Sequence, residues 1–203
     1  MEKNFWEKYY RKNREPYPES PFAEFIAPRL KKGQRLIELG CGNGRDAIFF
    51  NSLGLDVLGV DQCDQEVAYL TENFSSGKLA FMVADFTQMP LGKKYDHAYS
   101  RFTLHSIDED AEERVLDWAE RSLNPSGLFH LEVRSVRDDM FKEGRQISAS
   151  EAVTDHYRRF SDIEKLTHKL ISKGFSIDYS IESTGLAPYG QEDPAVIRII
   201  AKK

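Results

Sequence analysis

Residues 36–44 read Leu-Ile-Glu-Leu-Gly-Cys-Gly-Asn-Gly, and residues 45–50 continue as Arg-Asp-Ala-Ile-Phe-Phe. A short apolar run, three glycines at alternate positions and then a helical pattern describe a strand that turns sharply into a helix. The turn carries few side chains, so a ligand can lie against backbone amides at the helix start. One strand further on, Val57-Leu-Gly-Val-Asp61 ends in an acidic residue placed to grip a ribose. A nucleoside cofactor is therefore the expected ligand. The dinucleotide fingerprint G-x-G-x-x-G needs a glycine where Arg45 stands, and Asp46 behind it would repel a pyrophosphate. Glu38, just before the turn, suits a cationic or amine-bearing ligand instead.

The pattern Glu38-Leu-Gly40-Cys41-Gly42-Asn-Gly44 resembles the first motif of class I S-adenosylmethionine (SAM) methyltransferases. Further motifs follow in the family's order, so the resemblance covers residues 33–135. Asp61 matches the acidic residue that takes the ribose hydroxyls, with Gln62 beside it. Phe81-Met-Val-Ala-Asp85-Phe86 is similar to the third strand and adenine site, where Asp85 would accept from the adenine amine and Phe86 would pack on the ring. Tyr95 to His105 is similar to the fourth strand running into the methyl-transfer pocket, and Leu123-Asn-Pro-Ser-Gly127 resembles the turn before the fifth. The resemblance implies SAM as cofactor, S-adenosylhomocysteine as product and no metal. It further implies cofactor contacts from Cys41, Arg45 and Ser100, and from Tyr9 in an N-terminal lid.

Bulk properties agree. A chain of 203 residues with 40% hydrophobic content suits one compact domain with a proper core. A net charge of −5 gives no broad basic footprint for nucleic acid. Cys41 and Cys63 lack both metal-ligand spacing and a disulfide framework. The charged start of the chain lacks a signal-peptide core, and no apolar stretch approaches spanning length. A cytoplasmic monomer or homodimer without membrane or nucleic-acid partners is expected.

Strand and helix patterns alternate, which predicts a Rossmann-like, doubly wound α/β fold. Helices should cover both faces of a mostly parallel sheet. The family resemblance implies seven strands with an antiparallel last strand, in keeping with the hairpin-like Gly/Pro-rich connection before it. Ala47, Ile48, Phe50 and Leu53 mark one helix face, and Val67, Ala68 and Leu70 a second, capped by Asp64. Ala111, Val115, Trp118 and Ser122 mark a third, opened by Asp108. Ser161-Asp-Ile-Glu164 reads as a capping box. Strands are expected over 176–183 and 195–201. Residues 1–32, with the aromatic run Phe5 to Tyr10 and the Ser20-Pro21 helix start, form a helical lid segment on the 33–203 domain.

Ligands of such sheets bind at the carboxyl ends of the strands, where three polar clusters lie. Arg101-Phe-Thr-Leu-His105 follows the fourth strand. Alternation on the fifth puts His130, Glu132 and Arg134 on one face, with His130 deepest and expected as a satisfied core histidine. His156-Tyr157-Arg158-Arg159 precedes the capped helix, and Tyr189 sits in the loop between the last strands. Paired arginines suit a carboxylate or phosphate. His105 is the candidate general base, with Arg101, Glu132 and Arg134 catalytic beside it, and Tyr157, Arg158, Arg159 and Tyr189 as substrate contacts. The expected activity is methyl transfer to a small anionic or sugar-like acceptor, at oxygen. Alternatives are a non-catalytic SAM-binding regulatory protein, or transfer to nitrogen or to a macromolecule. An NAD-linked oxidoreductase fits worse, because of Arg45 and the motif at Asp85.

Overall fold

A computed structural model describes residues 3–13, 15–16 and 18–203; positions 1, 2, 14 and 17 of the expected lid segment lie outside the described residues. The chain opens with α1 (Lys3–Lys12) and α2 (Pro21–Ile26). It then alternates β1 (Arg35–Leu39), α3 (Arg45–Ser52), β2 (Asp56–Asp61), α4 (Asp64–Phe74), β3 (Leu79–Val83), β4 (Tyr95–Arg101), α5 (Glu109–Ser122) and β5 (Leu123–Arg134). An insert follows, made of α6 (Asp139–Glu143), β6 (Arg145–Gln146), β7 (Glu151–Val153) and β8 (Tyr157–Arg159). Last come α7 (Ile163–Ser172), β9 (Ser176–Ser183) and β10 (Val196–Lys202).

The main sheet has seven strands in the order β3-β2-β1-β4-β5-β10-β9. Strands β1 to β5 are parallel, and β10 runs antiparallel to both its neighbours. This is the mostly parallel sheet with an antiparallel last strand that the sequence predicts. The strand order reverses between β1 and β4, so a crevice opens at their carboxyl ends. Alternating side chains feed two cores. Leu36, Val57, Phe81 and Tyr99 pack with residues of α2, α3 and α4, while Ile37, Val60, Phe129 and Leu131 pack with residues of α5 and α7. Helices thus cover both faces. The insert is a separate three-stranded antiparallel patch, β6-β7-β8.

Local signals explain most helix starts. Ser20 caps α2 by accepting from the Ala23 N–H, with Pro21 at the first helical position. Asp108 caps α5 at 2.8 Å, and Ala111, Val115, Trp118 and Ser122 are all buried. Four details differ from the sequence reading. Asp64 is the first residue of α4 and Cys63 holds its cap position without a side-chain bond. Asp162, not Ser161, caps α7, accepting from Glu164 and Lys165 N–H groups at 3.0 Å. Ser161 is occupied by a bridge to Ser135 beside β5. Leu53 is 39% exposed because α3 has ended at Ser52, and Ala68 is exposed because α4 turns Glu66, Val67 and Leu70 inward.

His130 is buried in the core but only half satisfied, its Nδ1 having no partner among the described residues. Its Nε2 lies 3.1 Å from His97 Nδ1, and His97 Nε2 lies 2.9 Å from Gln34 Oε1. Burial pushes both imidazoles down, His97 to about 4. Asp46 ties the N-terminal segment to the sheet. It accepts from the Ser20 N–H, the Ser20 hydroxyl and the Tyr99 hydroxyl, each at 2.7 Å.

Candidate active site

A cavity of about 400 Å³ lies over the carboxyl ends of β1, β2 and β4, roofed by α1. Its first end is the glycine turn. Gly40, Gly42 and Gly44 have φ of 73°, 54° and 76°, the left-handed region that side chains disfavour. A Cβ on Gly40 would strike Thr103, and one on Gly42 would strike the Tyr10 hydroxyl. Asp61 closes the turn: one carboxylate oxygen accepts from the Gly42 N–H at 3.0 Å, the other from the Cys63 N–H at 2.9 Å. Each oxygen keeps lone-pair capacity for a hydroxyl.

Two buried polar atoms at this end lack partners among the described residues: Glu38 Oε2 and Gln62 Nε2. Burial, then the neighbouring Asp46 carboxylate, push Glu38 well above the usual carboxylate range, against the pull of Arg45. An orphaned acceptor, an orphaned donor and a side-chain-free cradle fit a ligand carrying both amine and hydroxyl groups. Cys41 and Arg45 also line the wall. Burial and Asp61 push the Cys41 thiol up, so it is a small turn residue and not a reactive thiolate.

Two expected cofactor residues, Ser100 and Asp85, sit off the cavity wall. Ser100 is buried off the cavity wall, its hydroxyl bonded to that of Thr103, and Thr103 lines the wall in its place. Asp85 is exposed and outside the cavity. It caps the turn at 86–88, accepting from Thr87 N–H (2.9 Å), the Thr87 hydroxyl (2.7 Å) and Gln88 Nε2 (3.0 Å). Its neighbour Phe86 does line the cavity. Tyr9 lines it too but is 39% exposed, whereas the Tyr10 hydroxyl packs against Gly42. Burial and Asp61 push the Tyr10 phenol up, so it stays a neutral donor. Trp6 and Tyr10, one turn apart on α1, both line the cavity, Tyr10 over the glycine turn and Trp6 beside His105 at the other end. This helical spacing is the signal that finds the roof.

The second end gathers His105, Arg101, Arg134, Arg158, His156 and Tyr189 on one wall. His105 is buried, and its Nδ1 has no partner among the described residues. Burial first, then Arg158, Arg134, His156 and Arg101, push its imidazole well below the ordinary value, so it is neutral at physiological pH. Arg134 donates to Asp138 at 2.7 Å and to Glu192 at 3.0 Å, and Arg158 pairs with Asp155. Phe102, between Arg101 and Thr103, holds φ of +53°, a strained conformation for a bulky side chain. That turn carries β4 into the cavity wall, and the sequence gives no sign of it.

Glu132, Tyr157 and Arg159 do not reach the cavity. Glu132 is fully buried between two arginines, accepting from Arg101 Nε at 2.9 Å and Arg198 Nε at 2.6 Å. Arg198 in turn donates to the Leu186 carbonyl at 2.6 Å, in the loop that carries Ala187 and Tyr189 to the wall. Tyr157 bonds to Glu151 at 2.6 Å within the insert. Arg159 pairs with buried Glu112 of α5 and donates to the Ile107 carbonyl, fastening the insert to the domain. Glu132 and Arg159 are thus each taken up by charged partners from distant segments, and Tyr157 by a neighbour within the insert. Among the described residues no cluster of His, Cys, Asp and Glu could hold a metal, and no helix is long and apolar enough to cross a membrane.

Fold, glycine turn and acidic strand end together are those of a Rossmann-like α/β protein of the methyltransferase class. The chain belongs to the Methyltransferase domain family, matched over residues 6–179. It is 26% identical over 156 residues to a methyltransferase-family protein of Invertebrate iridescent virus 6, covering 75% of this chain and 49% of that one. It is 22% identical over 103 residues to an uncharacterized methyltransferase of Synechocystis sp., covering 50% and 48%. The chain thus spans about half the length of both relatives. A SAM-dependent methyltransferase structure from Methanosarcina mazei superposes with a TM-score of 0.76 at 18% identity, covering 93% of this chain and 98% of that one. The 1,6-didemethyltoxoflavin-N1-methyltransferase of Burkholderia thailandensis superposes at 0.69 with 20% identity, covering 90% and 76%. These structural likenesses establish the fold.

Proposed function

We propose that this protein transfers the methyl group of SAM to a small anionic acceptor, at oxygen. The observation that carries this reading is the polarity of the cavity: orphaned acid and glycine turn at one end, a neutral histidine ringed by guanidinium groups at the other. Bound SAM would supply an electrophilic methyl group on a sulfonium. Asp61 would take ribose hydroxyls, and Glu38 the amino group of the methionine moiety. The glycine turn lets backbone amides approach the ligand, and α1 excludes water from above. Phe86 would pack on the adenine ring; Asp85 would reach its amine only by adding a contact to the three its carboxylate already makes.

At the other end Arg101, Arg134 and Arg158 would hold the acceptor's charge. His105 Nδ1 would receive the acceptor's proton as the methyl–oxygen bond forms, and a neutral imidazole is the state that can do so. The same base would serve an N–H acceptor, the group type handled by the N-methyltransferases among the structural neighbours. Calorimetric titration with S-adenosylhomocysteine tests the reading. Micromolar binding that Asp61→Ala weakens supports it; absence of binding by the parent protein sinks it. Binding without turnover of any acceptor would leave a SAM-binding regulatory protein as the better description.

A further inference from the structure

The acceptor end of the cavity is unusually rich in rings. Trp6 of α1 lies 6.4 Å from His105 and 5.3 Å from His156, centroid to centroid. Phe102 lies 5.9 Å from His105 on the edge, and Phe5 covers His156 at 4.0 Å. His105 is therefore within ring-contact range of both Trp6 and Phe102. The cations belong to the same surface: Arg101 and Arg134 lie 4.5 and 5.6 Å from the Phe102 centroid. Strained backbone at Phe102 holds this ring in the wall, a cost that persists where the surroundings over-determine the position.

A sugar is recognised chiefly by hydrogen bonds to its hydroxyls, and this wall offers Thr103, Ser106 and Tyr189 for that, beside three guanidinium groups and the rings of Trp6 and Phe102. Rings and guanidinium planes instead recognise flat π surfaces that carry negative charge. A cavity of about 400 Å³ shared between a nucleoside and its partner also favours a thin molecule over a bulky one. We infer that the acceptor is a planar aromatic anion whose ring lies against Trp6, Phe102 and His105 while its charge meets Arg101, Arg134 and Arg158. The inference rests on the methyl-transfer reading for the chemistry but on the acceptor wall alone for recognition. The transfer balances simply: an aryl hydroxyl loses its proton to His105, its oxygen gains the methyl group, and S-adenosylhomocysteine leaves with the sulfonium's bonding pair.

Proton affinity supports the same class. An imidazole pushed down by burial and cations is a weak base, and it matches an acidic aryl hydroxyl far better than an aliphatic alcohol.

The chain has two tryptophans, and the other, Trp118, is buried with its Nε1 bonded to the Pro90 carbonyl at 3.2 Å. A Trp118→Phe background therefore makes Trp6 the sole tryptophan, read by excitation beyond the tyrosine absorption band. With S-adenosylhomocysteine present, para-hydroxybenzoate is titrated against its ring-saturated counterpart of equal charge. The aromatic acid should quench Trp6 and bind about tenfold more tightly, and Trp6→Leu should erase that preference with the affinity for S-adenosylhomocysteine kept. Calorimetry on the unmodified protein makes the same comparison without the core substitution. Equal affinity for the two acids, or no binding of either at millimolar concentration, overturns the inference. If S-adenosylhomocysteine itself does not bind, the methyl-transfer reading fails separately, and the two acids are compared on the protein alone.

Discussion

The two ends of one cavity are built in opposite ways. The cofactor end is backbone: a turn over Gly40–Gly44, closed by Asp61 one strand away. The acceptor end is side chains delivered by α1, the segment after β4, β5, the turn between β7 and β8, and the loop before β10. A left-handed turn against a ligand demands glycine at fixed positions, so it is written locally. A ring of cations can be assembled from any segments that the fold brings together. The first construction tolerates little change, and the second should fail one function at a time.

Gly42→Val would test the rigid end most severely. The side chain meets the Tyr10 hydroxyl and a φ of 54°, so both the roof and the turn must move. Binding of S-adenosylhomocysteine should fall by about 100-fold or beyond detection, while the circular dichroism spectrum is kept. Unaltered binding would show that the cofactor does not lie against this turn.

Glu132→Ala addresses the scaffold under the convergent end. It leaves Arg101 and Arg198 buried without their carboxylate, which typically costs about 3–5 kcal/mol of stability. Denaturant unfolding should show that loss. A loss below about 1 kcal/mol would mean the two arginines find other partners, and that Arg198 does not hold the Leu186 loop through Glu132.

This contrast also explains what was readable in the chain. The alternating strands and helices and the glycine turn follow from apolar periodicity, glycine positions and helix caps, which are local, while the strand count and the antiparallel last strand come with the family resemblance. Ser161 was misread as a cap because its bridge to Ser135 is a tertiary contact. Glu132 looked like a pocket residue because a charge on an inward strand face needs a partner, and Arg159 because paired arginines suit an anion; sequence does not say whether that partner is a ligand or a distant residue. The wall at Trp6 and Tyr10 was half legible. A helical stripe of aromatics was present, but α1 had to be docked on the crevice before Tyr10 could be preferred to Tyr9.

Acid should take both ends away together, because both stand on the sheet that encloses His97. Its pKa is about 4 in the fold and about 6.5 when unfolded, the depression coming from burial against the opposing pull of Asp96. The unfolded chain therefore binds the extra proton first. The stabilisation is complete above pH 6.5 and is lost as pH falls towards 4, a change of order 3 kcal/mol. His130 is depressed in the same direction and adds to it. Melting temperatures between pH 7 and 4 should fall along this window, and His97→Asn should flatten the slope. Retained acid sensitivity in that variant would assign the effect to other groups.

The smallest expected effect is the most discriminating. Arg158 is the charge that most depresses His105 after burial itself. Removing it in Arg158→Ala lets the imidazole rise towards its ordinary value, so the acidic limb of the kcat/KM profile should move to higher pH. The same change removes one cation from the acceptor, and KM for an anionic acceptor should rise about tenfold. Affinity for S-adenosylhomocysteine should not change, because no atom of the glycine turn is involved. Arg158→Lys keeps the charge without the planar fork, so it should return the limb while recovering KM only in part. A limb that stays in place in Arg158→Ala would remove His105 as the titrating base. A matched loss of cofactor affinity would instead show that the two ends are coupled, and that backbone and convergent constructions in this cavity are one unit.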